Sequence, residues 1–274
     1  MADDSRSVPP SVDVTRPNPA RIYDYLLGGA HNFAIDRQVA EQAMAAGSVT
    51  PLLARLNRSF LRRAVRYMIS EGIDQFLDLG SGIPTAGNVH EIAQAVNPDA
   101  KVVYVDSEAV AVAHARHLLE DNPLATIIQS DIRDVAGVLS HPDTLELLDL
   151  DRPVGVLTVA VFHFIPDSDR PADLIRGYLD PLPVGSHLAI SHYTRDGYSA
   201  QKRELARKGN AVYQQTGTTA VSRSRDELAA MLTGLELVAP GIVWTCDWRP
   251  DGGDPYPEDP TESEIYAAVG RTVG

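Results

Sequence analysis

The chain has 274 residues, of which 44% are hydrophobic and 22% charged, values typical of a folded globular protein rather than a disordered or fibrous one. Its formal net charge of −13 disfavours nucleic acid and anionic membranes as partners. The single cysteine, Cys246, excludes an intramolecular disulfide and a multi-cysteine zinc site. No apolar run is long enough for a membrane span, and the opening MADDSRSVPP lacks a signal-peptide centre, so we expect a cytoplasmic protein.

The N-terminal quarter carries helical patterns and no strand pattern. Residues 1–16 are polar and contain prolines, which favours a mobile tail. The spacing of apolar residues predicts three helices over 17–72: one that ends at Gly28, one from Asp36 to Gly47, and one over Leu53–Met68. We therefore expect residues 17–72 to form a helical cap or lid on the rest of the chain.

From residue 73 onwards, short apolar runs alternate with amphipathic stretches. The runs predict strands at 75–79, 101–105, 125–129, 154–161 and 187–191, and the stretches predict helices at 84–97, 108–121, 134–149 and 170–180. Alternation of this kind is typical of a parallel sheet with helices on both faces. We further expect a helical insert at about 192–222, a helix at 224–233, and an antiparallel pair of strands at 235–244 and 264–271 on the sheet edge.

Chemically suggestive residues follow the first three predicted strands. The first strand runs into FLDLGSGIPT, which contains Asp78, Gly80 and Gly82, while Asp106 ends the second strand and Asp131 follows the third. Glycines allow a sharp turn and a close approach of the backbone to a ligand, and ligands of open α/β sheets bind at the carboxyl ends of the strands. An acid after the second strand can accept both hydroxyls of a ribose. Together these residues predict a ligand that contains adenosine.

The glycine pattern separates two classes of adenosine ligand. A dinucleotide fingerprint needs a third glycine where this chain has Thr85, and Gly87 comes two residues late. A pyrophosphate is also poorly matched by the acid Asp78, whereas a cationic methionyl end suits it. This favours S-adenosylmethionine (SAM) over NAD.

Longer segments of the chain resemble a known family. The motifs of the first three strands are similar to class I SAM-dependent methyltransferases, and the match narrows to an actinobacterial S-adenosyl methyltransferase family of unassigned substrate. The segments that carry this resemblance are ARIYDYLLGGAHNFAIDR (20–37), NRSFLRRAVRY (57–67), SGIPTAGNVHEIAQ (81–94), VYVDSE (103–108), VAVFHFIPD (159–167) and GSHLAISHYT (185–194). The resemblance implies an α/β, Rossmann-like doubly wound sheet of seven strands, mostly parallel with the last strand antiparallel, behind an N-terminal helical cap.

The resemblance also implies which residues meet the cofactor. Grouped by the part of SAM that they contact, they are Asp78, Gly80, Ser81 and Gly82 at the methionyl part, with Arg58 reaching its carboxylate; Asp106 and Ser107 at the ribose; Asp131, Ile132 and Arg133 at the adenine; Ala160 and Val161 at the edge of the ligand; and Tyr23, Gly29, Asn32 and Phe33 in a lid. Two positions look atypical of the family, namely Ser107-Glu108 and Tyr193.

Two histidines are candidates for removing a proton from the methyl acceptor. His163 and His192 follow the fourth and fifth predicted strands on the ligand side, and histidine titrates near neutral pH. The alternative for each is a neutral histidine that is hydrogen-bonded in the loop framework. Spacing also pairs His114 with His117 on one helix, but no further metal-ligating residue accompanies them, so we expect no metal.

Three functions stay open at this point. The leading hypothesis is a SAM-dependent methyltransferase that acts on an unidentified small-molecule acceptor by in-line displacement and leaves S-adenosylhomocysteine (SAH). The first alternative is a regulatory or partner protein that binds SAM or SAH without turnover. The second is a nicotinamide-dependent enzyme, which Thr85 disfavours.

Overall fold

A computed structural model describes residues 14–45, 50–84, 87–213 and 219–274. Most of the expected tail (1–16) and the expected end of the second helix at Gly47 lie outside the described residues, as does Thr85. In the part of the chain that is described, no helix is long and apolar enough to cross a membrane.

Three helices open the described chain: α1 (Pro19–Leu26), α2 (Ala34–Ala45) and α3 (Pro51–Ser70). Local sequence explains where α1 and α3 begin. Asn18 accepts hydrogen bonds from the backbone N–H groups of the first turn of α1, and Thr50 does the same for α3. A proline follows each cap, at a position where its missing N–H is not needed.

Strands and helices then alternate. The strands are β1 (Gln75–Leu79), β2 (Lys101–Asp106), β3 (Ala125–Gln129), β4 (Gly155–Val159), β5 (His187–Tyr193), β6 (Leu235–Leu237), β7 (Val243–Trp244) and β8 (Ile265–Thr272). The helices are α4 (Val89–Gln94), α5 (Ala109–Leu118), α6 (Val135–Leu139), α7 (Pro142–Leu147), α8 (Pro171–Leu179), α9 (Ala200–Tyr213) and α10 (Arg225–Met231).

The sheet has the order β3-β2-β1-β4-β5-β8-β6, with β7 also paired to β8. Strands β1 to β5 pair in parallel, and β8 runs antiparallel to β5. This confirms the predicted α/β doubly wound sheet with an antiparallel last strand. Since the order reverses between β1 and β4, the carboxyl ends of these two strands flank the switch point where ligands of such sheets bind.

Two of the expected elements are divided in the structure, and two are shorter than expected: the helix at 84–97 is Val89–Gln94 and the strand at 154–161 is Gly155–Val159. The strand expected at 235–244 is divided into β6 and β7, because Pro240 has no N–H for the ladder and Gly241 turns the chain at a φ of +84°. The described sheet therefore has eight strands rather than seven. The helix expected at 134–149 is likewise two short helices, α6 and α7, the second of which starts at Pro142.

Helices cover both faces of the sheet, and neighbouring strand residues pack on opposite sides. Leu77 and Val103 face the core that contains α8 and α10, whereas Phe76 and Val102 face the core that contains α3 and α5. Because α3 is part of the second core, it fixes the preceding helices α1 and α2 relative to the sheet.

A buried arginine of α3 holds the loop that precedes β8. Arg63 is 6% exposed, and its guanidinium donates to the carbonyl oxygens of Trp248 at 2.8 Å and Thr245 at 2.6 Å. It also pairs with the carboxylate of Asp254. Five donors in a planar fork allow one side chain to satisfy all three groups.

We expect Arg63→Met to lower the free energy of unfolding by about 2–4 kcal/mol, since two carbonyls lose their donor and a largely buried carboxylate loses a charge partner. Arg66→Met on the same helix is the control, because Arg66 is 56% exposed and meets Asp251 only at 4.0 Å. Urea denaturation followed by tryptophan fluorescence measures both variants. Equal losses in the two would contradict the role assigned to Arg63.

Candidate functional site

A cavity of about 750 Å³ opens at the carboxyl ends of the strands, beneath α1 and α3. Ligand pockets of proteins usually fall between about 300 and 1,000 Å³. The cavity is lined by most of the residues that the sequence predicted for the site: Tyr23, Arg58, Asp78, Gly80, Ser81, Gly82, Asp106, Ser107, Asp131, Ile132, Arg133, Ala160, Val161 and His163. The fold therefore brings together groups that are scattered over 140 positions of sequence, from residue 23 to residue 163.

Three residues of the predicted lid do not line the cavity but build the turn between α1 and α2. Asn32 donates to Asp24 at 2.8 Å and to the carbonyl of Gly29 at 2.9 Å. Gly29 packs so tightly that a Cβ there would lie 1.9 Å from the Asp24 carboxylate. The ring of Phe33 lies under the Arg21 guanidinium, 5.2 Å away. These residues shape the cap rather than facing the cavity.

The turn after β1 requires its glycines. Gly80 and Gly82 have φ values of +70° and +68°, in a region that L-residues rarely adopt. A Cβ on Gly80 would also lie 2.3 Å from Val161 Cγ2. The N–H groups of Gly80 and Ser81 both donate to the Val105 carbonyl, at 2.8 and 3.1 Å, so the turn is bonded to the end of β2.

Asp106 ties the glycine turn to the second acid-bearing strand. Its carboxylate accepts the N–H of Gly82 at 2.7 Å and the N–H of Glu108 at 2.8 Å. Burial raises the pKa of Asp106, against the lowering effect of these backbone donors. Each carboxylate oxygen has two lone pairs, so both can still accept a hydroxyl from a ligand in the cavity.

The next acid, Glu108, anchors the cap to the end of β2. The side chain of Asn18 donates to it at 2.6 Å, and Arg21 approaches it at 3.3 Å. Arg21 is 2% exposed and also pairs with Asp36 at 2.8 Å. The residues Asn18, Arg21, Asp36 and Glu108, which we call the cap anchor, were not predicted from sequence. The only local signal was the Asn-Pro helix start at 18–19.

At the carboxyl end of β1, Asp78 is a buried acid. Its pKa is raised from the ordinary 3.8 to about 7, chiefly by burial, while the Arg58 guanidinium opposes the shift and the neighbouring Asp106 adds to it. The apo carboxyl is therefore partly protonated at neutral pH. A cation bound beside it would favour the ionised form.

At the end of β3, Asp131 is held in a fixed orientation. Arg133 donates to it from Nε at 2.9 Å and from the backbone N–H at 2.9 Å, and bridges to Asp169 at 3.1 Å. Hydrogen bonding from Arg133 lowers the pKa of Asp131, so the carboxylate is ionised and acts as an acceptor only.

A continuous chain of hydrogen bonds crosses from the cap to the end of β4. The Ala160 N–H donates to Ser191 Oγ at 2.8 Å, and Ser191 Oγ donates to Asn57 Oδ1 at 2.6 Å. Asn57 Nδ2 in turn donates to the Tyr23 hydroxyl at 2.9 Å, which donates to the Ala54 carbonyl at 3.1 Å. Every member has one consistent donor and acceptor role.

This series of hydrogen bonds holds a strained backbone residue, Ala160, at the cavity wall. Ala160 has a φ of +59°, a conformation that costs a non-glycine residue about 1–3 kcal/mol. Asn57 also lines the cavity, although it was not among the predicted site residues. Its role depends on partners in β5 and α1, which no local pattern indicates.

The two candidate histidines lie in different surroundings. His163 lines the cavity and is 8% exposed, and its Nδ1 is buried with no hydrogen-bond partner in the described part of the chain. Burial lowers its pKa well below the ordinary value, and His192 and Arg223 lower it further. His163 is therefore neutral at pH 7 and can accept a hydrogen bond.

His192 does not line the cavity. Arg223 donates to its Nε2 at 2.7 Å, which leaves Nδ1 protonated and facing the Tyr193 carbonyl at 2.8 Å. Burial lowers its pKa to about 4. These contacts match the alternative weighed for it in the sequence, a neutral histidine of the loop framework.

The comparisons with known proteins agree with this geometry. A glycine turn after the first strand of a sheet in this order is the arrangement of class I SAM-dependent methyltransferases, and the protein is a methyltransferase of that kind. The chain belongs to the S-adenosyl methyltransferase family, whose model matches residues 5–273.

Two solved structures resemble the whole chain. A DUF574 family protein of Streptomyces avermitilis is 35% identical, with a TM-score of 0.89 over 95% of this chain and 99% of its own. A candidate methyltransferase of Thermobifida fusca is 36% identical, with a TM-score of 0.88 over 98% of this chain and 100% of its own. Human N-acetylserotonin methyltransferase, solved with SAM, shares only the fold: 14% identity and a TM-score of 0.50 over 93% of this chain and 63% of its own. No curated protein matches.

We expect Ser191→Ala to lower the free energy of unfolding by about 1–3 kcal/mol and to weaken SAH binding, because the buried Asn57 Oδ1 loses its donor. Thr158→Val is the control, since Thr158 donates at 3.2 Å to a carbonyl of the sheet ladder and does not line the cavity. Chemical denaturation and calorimetric titration with SAH measure both variants. Unchanged SAH affinity in Ser191→Ala would contradict a role for this series of hydrogen bonds in shaping the binding site.

The raised pKa of Asp78 predicts a pH dependence of stability. Between pH 4 and 7 the folded apo-protein keeps a proton that the unfolded chain has lost, so this group makes the free energy of unfolding fall as the pH rises through that window, by about 2–4 kcal/mol. Asp78→Asn cannot ionise and should lack this fall. Urea denaturation at several pH values tests the difference, with the exposed Asp99→Asn as the control. If the free energy of unfolding of Asp78→Asn fell with pH as steeply as that of the wild type, Asp78 would not be the group responsible.

Proposed function

We propose that this protein transfers the methyl group of SAM to a small-molecule acceptor by in-line displacement within the cavity. The observation that carries the proposal is the distribution of polar groups along the cavity wall. The acids and the glycine turn lie at the ends of β1 to β3, and a neutral histidine lies beyond β4. A donor and an acceptor can therefore occupy neighbouring ends of one enclosure.

The residues present fit SAM in three respects. The glycine turn leaves open space beside Gly82, where an added Cβ would meet only Ala20 at 4.0 Å. The Asp106 carboxylate has lone pairs for the two ribose hydroxyls. The hydroxyl of Ser81, which lines the cavity, is buried without a hydrogen-bond partner in the described residues, and buried polar atoms in that state commonly await a ligand or a water.

We assign the binding roles from this fit. Asp78 and Ser81 meet the methionyl part, with Arg58 as the cation for its carboxylate. Asp106 and Ser107 hold the ribose, and Asp131 with Ile132 meets the adenine. When bound, SAM supplies an electrophilic methyl group on a sulfonium.

For the transfer, the protein has to align the methyl donor with the nucleophile, enclose both of them and accept a proton. Methyl transfer gains most from holding donor and nucleophile in line and excluding water. The cap anchor keeps α1 over the cavity. The series of hydrogen bonds that links Tyr23 to Ala160 fixes the cavity wall beyond β4. His163 is the group that accepts the proton of the acceptor, and His192 positions the loop around it.

Gly80→Val tests the cofactor assignment. We expect no measurable SAH binding, because the new side chain would overlap Val161 and because the backbone φ of +70° disfavours any side chain. Gly234→Val is the matched control: Gly234 has a φ of +96°, a Cβ added there would have no atom within 4 Å, and the residue does not line the cavity. It carries the same backbone strain and should retain the wild-type affinity. Isothermal titration with SAH measures the affinity of both variants, after circular dichroism has verified that they fold. Wild-type affinity in Gly80→Val would contradict the assignment of the glycine turn to the cofactor.

A further inference from the structure

The charged side chains of the cavity wall are confined to one half. Those that line it in the described residues are Arg58, Asp78, Asp106, Glu108, Asp131 and Arg133. Apart from Arg58, which acts on Asp78, all of them lie at or just after the carboxyl ends of β1, β2 or β3. Because the sheet order puts these three strands on one side of β4, we call this wall the cofactor half.

The other half of the wall is uncharged and mostly apolar. It follows β4, β5 and the start of β8, and its defining residues are Phe164, Ile165, Pro166, Tyr193, Val221 and Ile265. We call it the acceptor half. None of the described residues that line it is charged, so an ionic acceptor would lose its hydration there without gaining a counter-charge.

Next to the acceptor half, His163 lines the cavity, and its buried Nδ1 has no hydrogen-bond partner among the described residues. Its ring lies 4.2 Å from that of Phe164 and 6.5 Å from that of Tyr193, measured between centroids. Its carbonyl accepts the Val221 N–H at 2.7 Å, which fixes the loop in place. A neutral imidazole next to aromatic rings suits a flat molecule that donates one hydrogen bond.

Resting on the proposed function, we infer that the acceptor is an uncharged, ring-bearing small molecule that presents a hydroxyl group to His163. As the hydroxyl oxygen bonds to the methyl carbon, the carbon–sulfur bond breaks with its electron pair left on sulfur, and the hydroxyl proton passes to His163. The positive charge thereby moves from sulfonium to imidazole, and the products are SAH and a methyl ether. The proton then leaves the imidazole to water.

Three naphthalene probes of similar size test the charge preference. The full-length protein is saturated with SAH and titrated with 2-naphthol, 2-naphthoate and 2-naphthylmethylammonium. We expect 2-naphthol to bind at least about tenfold more tightly than either ion, since desolvating an unpaired charge is more costly than desolvating a hydroxyl. A preference for either ion, or no binding of any probe, overturns the inference.

Two variants locate the effect. In His163→Phe, the advantage of 2-naphthol over 2-methoxynaphthalene, which has no hydroxyl to donate, should disappear. Val221→Asp should favour 2-naphthylmethylammonium over 2-naphthol, whereas the uncharged isostere Val221→Asn should not. An unchanged 2-naphthol advantage in His163→Phe, or identical behaviour of the two Val221 variants, contradicts the placement of the acceptor.

The SAH titration separates this inference from the proposed function. If the wild-type protein binds SAH and then shows no preference for 2-naphthol, only the acceptor class is wrong. If the wild-type protein does not bind SAH, the proposed function fails, and the acceptor class fails with it.

Discussion

The hydrogen bond from the Gly82 N–H to the Asp106 carboxylate, at 2.7 Å, is the contact on which the rest of the site depends. It joins the turn after β1 to the end of β2, and thus sets the spacing between the two groups assigned to the methionyl part and the ribose. The same carboxylate accepts the N–H of Glu108. Because Glu108 is the member of the cap anchor that lies just after β2 and binds Asn18 and Arg21, the position of α1 over the cavity follows from the same few atoms.

Burial gives the two halves of the cavity different chemistry. In the cofactor half, desolvated acids with raised pKa values favour a ligand that brings positive charge to them. In the acceptor half, desolvation lowers the pKa of His163 and keeps it neutral. Perturbed titratable groups in one concave site are typical of functional sites. Under the proposed function they separate a place for a cation from a place for an uncharged nucleophile.

Local pattern predicted much of the fold. Apolar runs located β1 to β5 because their side chains are buried on both faces. The glycines and acids were recognisable because each lies at or just after the carboxyl end of a strand. The division at Pro240 had a local signal as well, in the Pro-Gly pair after Ala239. It was missed because the apolar residues on both sides resemble one continuous strand.

What sequence could not predict depends on partners distant in the chain. Asn57 contacts Ser191 across 134 residues, and Arg21 meets Glu108 across 87. Neither pair has a periodic signal, since each forms only after helices and sheet have packed. The framework contact of His192 likewise requires Arg223, 31 residues further on, and sequence alone treated the two histidines alike.

The most direct test of the account is isothermal titration of the wild-type protein with SAM, SAH and NAD in turn. Asp78 and a sequence pattern that has Thr85 where the dinucleotide fingerprint needs its third glycine predict micromolar binding of SAM and SAH and no binding of NAD. Binding of NAD with comparable affinity, or the absence of binding by both SAM and SAH, would contradict the assignment of the cavity to a methyl donor.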